Sequence, residues 1–172
     1  MLTLAALVLL LAAPASAAAP LLDGTLHAFS GAGGGTGIEM PLNLAGRVGG
    51  AAMVWPVGSV GIGLRVDGGS YGLLTRDTSN AFAFAESQVK LADRWTAGLG
   101  VGLPVAWIEY SCQGSCERGV WEEHHPIGAL TGTLHLEEGV LHVPISARAE
   151  VGADRWAVGI DVGFGFRIHR KS

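Results

Sequence analysis

From Trp95 to Trp107 the chain alternates without a break. Trp95, Ala97, Leu99, Val101, Leu103, Val105 and Trp107 form one row, and Thr96, Gly98, Gly100, Gly102, Pro104 and Ala106 form the other. Side chains on a strand point to opposite faces in turn, so period two predicts a strand with one greasy face and one small face. Twelve steps at roughly 3.3 Å, tilted by about 40°, set the two tryptophans about 30 Å apart in height. That is the height of a lipid hydrocarbon band with an aromatic border on each side.

The same alternation recurs along the chain. It predicts strands over about 24–33, 41–55, 59–70, 81–91, 95–107, 127–137, 140–152 and 156–168. In the seventh, Leu141, Val143, Ile145, Ala147, Ala149 and Val151 oppose His142, Pro144, Ser146, Arg148, Glu150 and Gly152. In the eighth, Trp156, Val158, Ile160, Val162, Phe164, Phe166 and Ile168 oppose Ala157, Gly159, Asp161, Gly163, Gly165 and Arg167. Tight turns are predicted at Pro56-Val57-Gly58, Ala92-Asp93-Arg94 and Glu138-Gly139. The connections after the second, fourth and sixth strands are short, and the one long connection, 111–126, falls at the opposite end. With both termini periplasmic, that long connection is extracellular, the usual asymmetry of membrane barrels. The fold class that follows is all-β, an eight-stranded antiparallel up-and-down transmembrane β-barrel.

Composition agrees with this pattern and removes other classes. The 172 residues are 49% hydrophobic, 15% charged and include 27 glycines, whereas soluble domains carry about 25% charged residues. Past the amino-terminal segment no apolar run reaches the length of a membrane helix. A net charge of −4 without a basic cluster argues against nucleic acid as a partner. Residues 2–13 form a compact apolar run, Pro14 ends it, and Ala15-Ser16-Ala17 is a small-x-small cleavage site. Residues 1–17 are therefore expected to be a signal peptide, with cleavage as late as about residue 19, although no Lys or Arg precedes the apolar run. Residues 18–172 are expected to form one barrel domain.

The inward rows carry charges of both signs: Arg47, Arg65, Asp67, Glu86, Lys90, Arg148, Glu150, Asp161 and Arg167, with His135 and His142. Charges removed from bulk water need partners, so a paired polar network filling the lumen is expected. The basic run from Arg167 to Lys171 reads otherwise as a short solvated tail. Eight strands leave an interior that side chains can fill, which disfavours a continuous aqueous pore. A serine–histidine enzyme is the sharper alternative. His142 and Ser146 lie about 13 Å apart along one strand, and nothing selects His27 or His135 as a cross-strand partner for Ser146. No catalytic residue and no cofactor are assigned. Cys112 and Cys116 in an exported chain read as a disulfide closing a small surface loop. A metal site using Cys112, Cys116, His124 and His125 has suitable donors, but its spacing matches no common zinc pattern, so no metal is assigned. Trp121 in the same loop is a candidate for partner contact.

From Gly24 to Ile168 the chain resembles the small eight-stranded outer-membrane β-barrel proteins of Gram-negative bacteria, of the outer-membrane protein A or X type. The resemblance rests on the alternating strands, the small inward residues and the closing strand Val158 to Phe166. It implies a cell outer-membrane location, with outer-membrane lipid and the barrel assembly machinery as partners. Trp95, Trp107, Trp156, Phe164 and Phe166 are then expected in the aromatic girdles. Members of that family usually end on an aromatic residue that the assembly machinery reads. This chain continues past Phe166 to Ser172, so insertion is expected either to use an internal signal such as Gly163-Phe164-Gly165-Phe166 or to be less efficient. The expected role is structural or surface-interacting, without enzymatic chemistry and with a surface ligand at 111–126. The alternatives are a lipid-modifying outer-membrane enzyme and a narrow pore or small-ligand-binding barrel.

Overall fold

The computed structural model describes residues 20–35, 43–71, 77–113, 115–119, 125–153 and 155–169; for residues 34–35, 43, 70–71, 77–80, 106–113 and 115–119 only the backbone is described. The strands are β1 (Pro20–Gly35), β2 (Asn43–Val57), β3 (Val60–Tyr71), β4 (Asp77–Ala92), β5 (Trp95–Gln113), β6 (Ser115–Gly119), β7 (Ile127–Glu138), β8 (Leu141–Gly152) and β9 (Arg155–His169). Each of β1 to β5 pairs antiparallel with the next, β5 passes to β7, and β9 pairs back onto β1. Eight strands therefore close a ring, an up-and-down barrel with no free edge.

Strand β6 lies outside the ring and pairs only with the far end of β5. The connection expected as a loop over 111–126 thus begins as a hairpin, in whose register Cys112 stands opposite Cys116. Trp107, Ile108 and Tyr110 favour extended backbone, and the strand runs on through them. Strand β4 likewise starts at Asp77 rather than at 81: Thr78 pairs with Tyr71 and Ser79 with Ser70. Polar side chains there do not end the strand, because ladder bonds satisfy the backbone whatever the side chains are.

Three two-residue turns, Gly58-Ser59, Asp93-Arg94 and Gly139-Val140, gather with Pro20 and His169 at one end of the barrel, hereafter the turn end. The opposite, loop end carries the connections after β1, β3 and β8 and the β5–β6 hairpin. Gly139 has φ +62°. A left-handed residue at the first central position suits a two-residue hairpin, and only glycine adopts it without cost. The first turn falls two residues later than Pro56 because Pro56 and Val57 still belong to β2.

The two rows separate cleanly. Leu26 is 74% exposed and Leu64 69%, and Val48, Leu99, Val101, Leu130, Val158 and Phe164 also face outward. So wide an exposed apolar surface on a closed sheet is a belt, not the scatter seen on water-soluble proteins. The alternation of β5 holds from Thr96, which is buried, to Val105, which is exposed. There it meets a bulge: Phe82 pairs with Pro104 but Ala81 with Ala106. Proline has no N–H for the ladder, so a bulge beside it is a usual accommodation.

Inward glycines make room for inward aromatics. A Cβ on Gly102 would lie 2.3 Å from the ring of Phe84. One on Gly61 would lie 2.7 Å from Met53 Sδ and 3.0 Å from the Trp55 ring. The small row of β5 and β3 is thus the socket for large side chains of β4 and β2.

Candidate functional site

Within the barrel the inward side chains form two ionic clusters and an apolar plug. At the turn end, Arg167 of β9 grips Asp23 of β1 with both forks, Nε to Oδ1 at 2.6 Å and Nη2 to Oδ2 at 2.6 Å. Its Nη1 donates to Glu137 at 2.5 Å, and its guanidinium lies 5.5 Å from the Trp55 ring. The Trp55 indole donates to Asp23 at 2.9 Å. Asp23 and Arg167 are register partners on adjacent strands, which allows the bidentate geometry that guanidinium and carboxylate favour. Beside them the rings of His135 and His142 stack with centroids 5.1 Å apart. His135 Nδ1 meets His142 Nε2 at 2.8 Å and Arg167 Nη2 at 3.1 Å, while its Nε2 meets Thr96 Oγ1 at 2.9 Å. His169 joins Glu137 at 3.0 Å.

The central cluster is built from two local pairs. Arg65 and Asp67 are two apart on β3, and Arg148 and Glu150 are two apart on β8, so each pair shares the inner row. Arg65 Nε donates to both oxygens of Asp67, at 2.8 and 2.9 Å, and its Nη1 donates to Asp161 of β9. Arg148 Nε donates to Glu150 at 2.6 Å and its Nη1 to Glu86 of β4 at 2.6 Å. Arg47 joins the halves, with Nη2 2.7 Å from Glu150 and Nη1 4.0 Å from Asp67. His27 Nε2 completes the set at 2.6 Å from Asp67 Oδ1. Three guanidinium groups thus serve four carboxylates, all buried except the half-buried Glu86.

Toward the loop end the lumen turns apolar. Phe29, Ala45, Phe82, Phe84, Ile127, Ala129 and Ala157 form one buried cluster. Arg47 stacks 4.6 Å from the centre of Phe29, and Arg148 4.5 Å from that of Phe84. Each guanidinium keeps its edge for carboxylates and lends its face to an aromatic ring. Charge and plug are therefore one packed unit.

All seven network residues expected from the sequence, Arg47, Arg65, Asp67, Glu86, Arg148, Glu150 and Asp161, lie in the central cluster. Arg167 is buried in the other, so the expected solvated tail cannot begin there; residues 170–172 lie outside the described ones. Lys90 sits half-buried by the turn end, 3.7 Å from Asp93. Ser146 Oγ bonds Thr133 Oγ1 at 2.8 Å, while His27 and His135 bond elsewhere. That arrangement gives no activated nucleophile. Among the described residues no three metal-donor side chains converge. Residues 1–17, Trp121 and His124, and the side chains of Trp107, Cys112 and Cys116, lie outside the described residues. Of the remaining girdle candidates, Trp156, Phe164 and Phe166 are exposed and Trp95 is half-buried. Hydropathy passes over Asp23, Phe29, Trp55, Phe82 and Phe84, which the structure places inside. Parity was the available signal: Phe82 and Phe84 share the row of Glu86, and Trp55 that of Arg47.

No protein-family model matches the chain, and no curated protein sequence matches it significantly. Solved structures do. Ail, the attachment invasion locus protein of Yersinia pestis, crystallised in complex with the heparin analogue sucrose octasulfate, superposes with TM-score 0.54 at 10% identity, covering 87% of this chain and 99% of that one. Neisserial surface protein A superposes with TM-score 0.57 at 8% identity, covering 87% of this chain and 97% of that one. With the closed ring, the outer apolar belt and the lumen of paired charges, these likenesses identify the fold: this chain is built as a small eight-stranded antiparallel up-and-down β-barrel, as those two proteins are.

Proposed function

We propose that this chain resides in the bacterial outer membrane as a closed barrel with a structural or surface-interaction role and no enzymatic chemistry. The observation that carries the reading is the apolar belt around a lumen whose charges are paired. Lipid is the solvent that fits such a surface, and among the described residues the interior offers neither an activated nucleophile nor an open path. The aromatic residues Trp95, Trp107, Trp156, Phe164 and Phe166 would border the belt. Gly163-Phe164-Gly165-Phe166 would serve the assembly machinery as its internal signal. Residues 1–17 would be removed on export. Expression in a Gram-negative host, membrane fractionation and gel mobility before and after boiling test the reading. The expected result is outer-membrane recovery and a compact unboiled band that shifts on heating. Recovery as a soluble monomer without detergent would overturn it.

Surface interaction is assigned to the loop end, where the longest connection lies. A barrel of the same fold has been crystallised with a sulfated sugar analogue. Here, however, residues 111–126 carry Glu117, Glu122 and Glu123 against Arg118 alone, a balance better suited to a neutral or cationic partner. The register that sets Cys112 opposite Cys116 supports a disulfide that stiffens this hairpin. Two readouts test the arrangement. An epitope inserted at Gly119 should be stained on intact cells. The protein should take up an alkylating label at both cysteines only after reduction.

A further inference from the structure

We infer that the β8–β9 seam parts locally at Pro144, ahead of the rest of the wall, and gives the lumen a lateral outlet. In that ladder Leu141 stands opposite Phe166 and His142 opposite Gly165, and the next pair is Ile145 with Val162. Val143 and Pro144 on one side, and Gly163 and Phe164 on the other, are left out of it. The gap belongs to this seam alone. Through the same residues β7 pairs His135 with Pro144 and Leu136 with Val143, while β1 pairs His27 with Gly163 and Leu26 with Phe164.

The cause lies in the backbone. The Arg167 N–H donates to the Val140 carbonyl across this seam at 2.9 Å. Alternate residues of a strand turn their backbone groups to the same neighbour, so Gly165, Gly163 and Asp161 face β8 as well. Gly163 therefore offers its carbonyl to Pro144, which has no N–H to give. A carbonyl whose ladder partner cannot donate weakens a barrel wall at that point. Side chains add little there. A Cβ on Gly163 would lie 2.7 Å from Pro144 Cγ, so the proline ring itself occupies the inner face. Pro144 is half-buried, whereas His142 and Ser146 in the same inner row are buried. Behind the gap lies a polar cavity of about 60 Å³, with His142, Pro144, Ser146, Asp161 and Gly163 among its lining. Among the described residues, Phe29, Phe82 and Phe84 fill the lumen toward the loop end, and Arg167, Asp23 and Trp55 fill it toward the turn end. The route out of the cavity that breaks fewest hydrogen bonds is sideways, through the wall at Pro144. Intact pairs on either side, His142 with Gly165 and Ser146 with Asp161, confine the opening. It is independent of the surface role proposed above.

Amide hydrogen exchange tests this in the 15N-labelled full chain refolded in detergent micelles. Gly159 and Gly163 each follow a valine, so their intrinsic exchange rates match closely. Both face β8, and Gly159 stands opposite Arg148 in the intact ladder. Gly163 is the more buried of the two, so static exposure alone would make it the slower. With a local opening at Pro144 it should exchange faster than Gly159, by about tenfold. Pro144→Ala supplies the missing N–H and should bring Gly163 to within about twofold of an unchanged Gly159. Should that variant fail to fold, the two glycines of the wild type decide the matter. Equal or greater protection of Gly163 in the wild type overturns the inference. So does a folded Pro144→Ala variant in which the ratio of the two rates stays as it was.

Discussion

Arg148 shows how much of the interior rests on single side chains. It satisfies Glu86 and Glu150 at once and stacks on Phe84. Arg148→Met keeps most of the volume but parts Glu86 from its cation and leaves Glu150 with Arg47 alone in a closed lumen. The expected loss is about 3–5 kcal/mol, the range for breaking one side of a buried ion pair. Urea unfolding of the refolded barrel in detergent measures it. Arg148→Met combined with Glu86→Gln should lose less than the sum of the two single losses, because the second change removes the stranded charge. At this scale the sequence was partly legible. Parity along each strand places Arg148, Glu150, Arg65 and Asp67 in an inner row. Which carboxylate each guanidinium takes is set by register and tilt between strands that lie far apart in the chain. Arg148 to Glu86 is such a case, and no local pattern encodes it. The aromatics at Phe82 and Phe84 were obscured for another reason, since hydropathy sends a phenylalanine to lipid unless the charges in its row are given precedence.

Strands and turns obey simpler rules, and the alternation read them better. The hairpin at Gly139-Val140 depends on a left-handed glycine. Gly139→Ala should cost about 1–2 kcal/mol of stability, the cost of holding an L-residue in that region, and Gly139→Asn less. Urea midpoints of the two variants compare them directly. The outer row of β5 has a different sensitivity. Val101 is 58% exposed on the belt, and Val101→Arg should destabilise the barrel by about 2–4 kcal/mol in lipid vesicles if its place is near the bilayer midplane. The same change at the buried Thr96 would meet the lumen instead, so the pair separates lipid-facing from lumen-facing rows. Strand ends were less legible than strand cores. Beyond the greasy band the ladder continues through Asp77, Thr78 and Ser79, where hydropathy carries no signal. Strand β6 was missed because five residues with glycine and serine around them read as loop.

For the whole molecule, the plug of Phe29, Phe82, Phe84 and Ile127, clamped by Arg47 and Arg148, leads to a sharp expectation. Purified barrel in a planar lipid bilayer should show no steady ionic conductance; a stable open level would contradict a closed lumen. The seam between β1 and β9 has a further consequence, one that concerns order of assembly. Asp23 takes its guanidinium from Arg167, and Arg65 takes its second carboxylate from Asp161; both partners arrive on the final strand. A sheet of β1 to β8 without β9 therefore has two bare edges and a carboxylate at Asp23 parted from its guanidinium. Docking of the last strand removes both defects in one step. Pairing the last lumen charges and sealing the wall are the same event, so a chain cut short before β9 strands the Asp23 carboxylate along with losing its last stave.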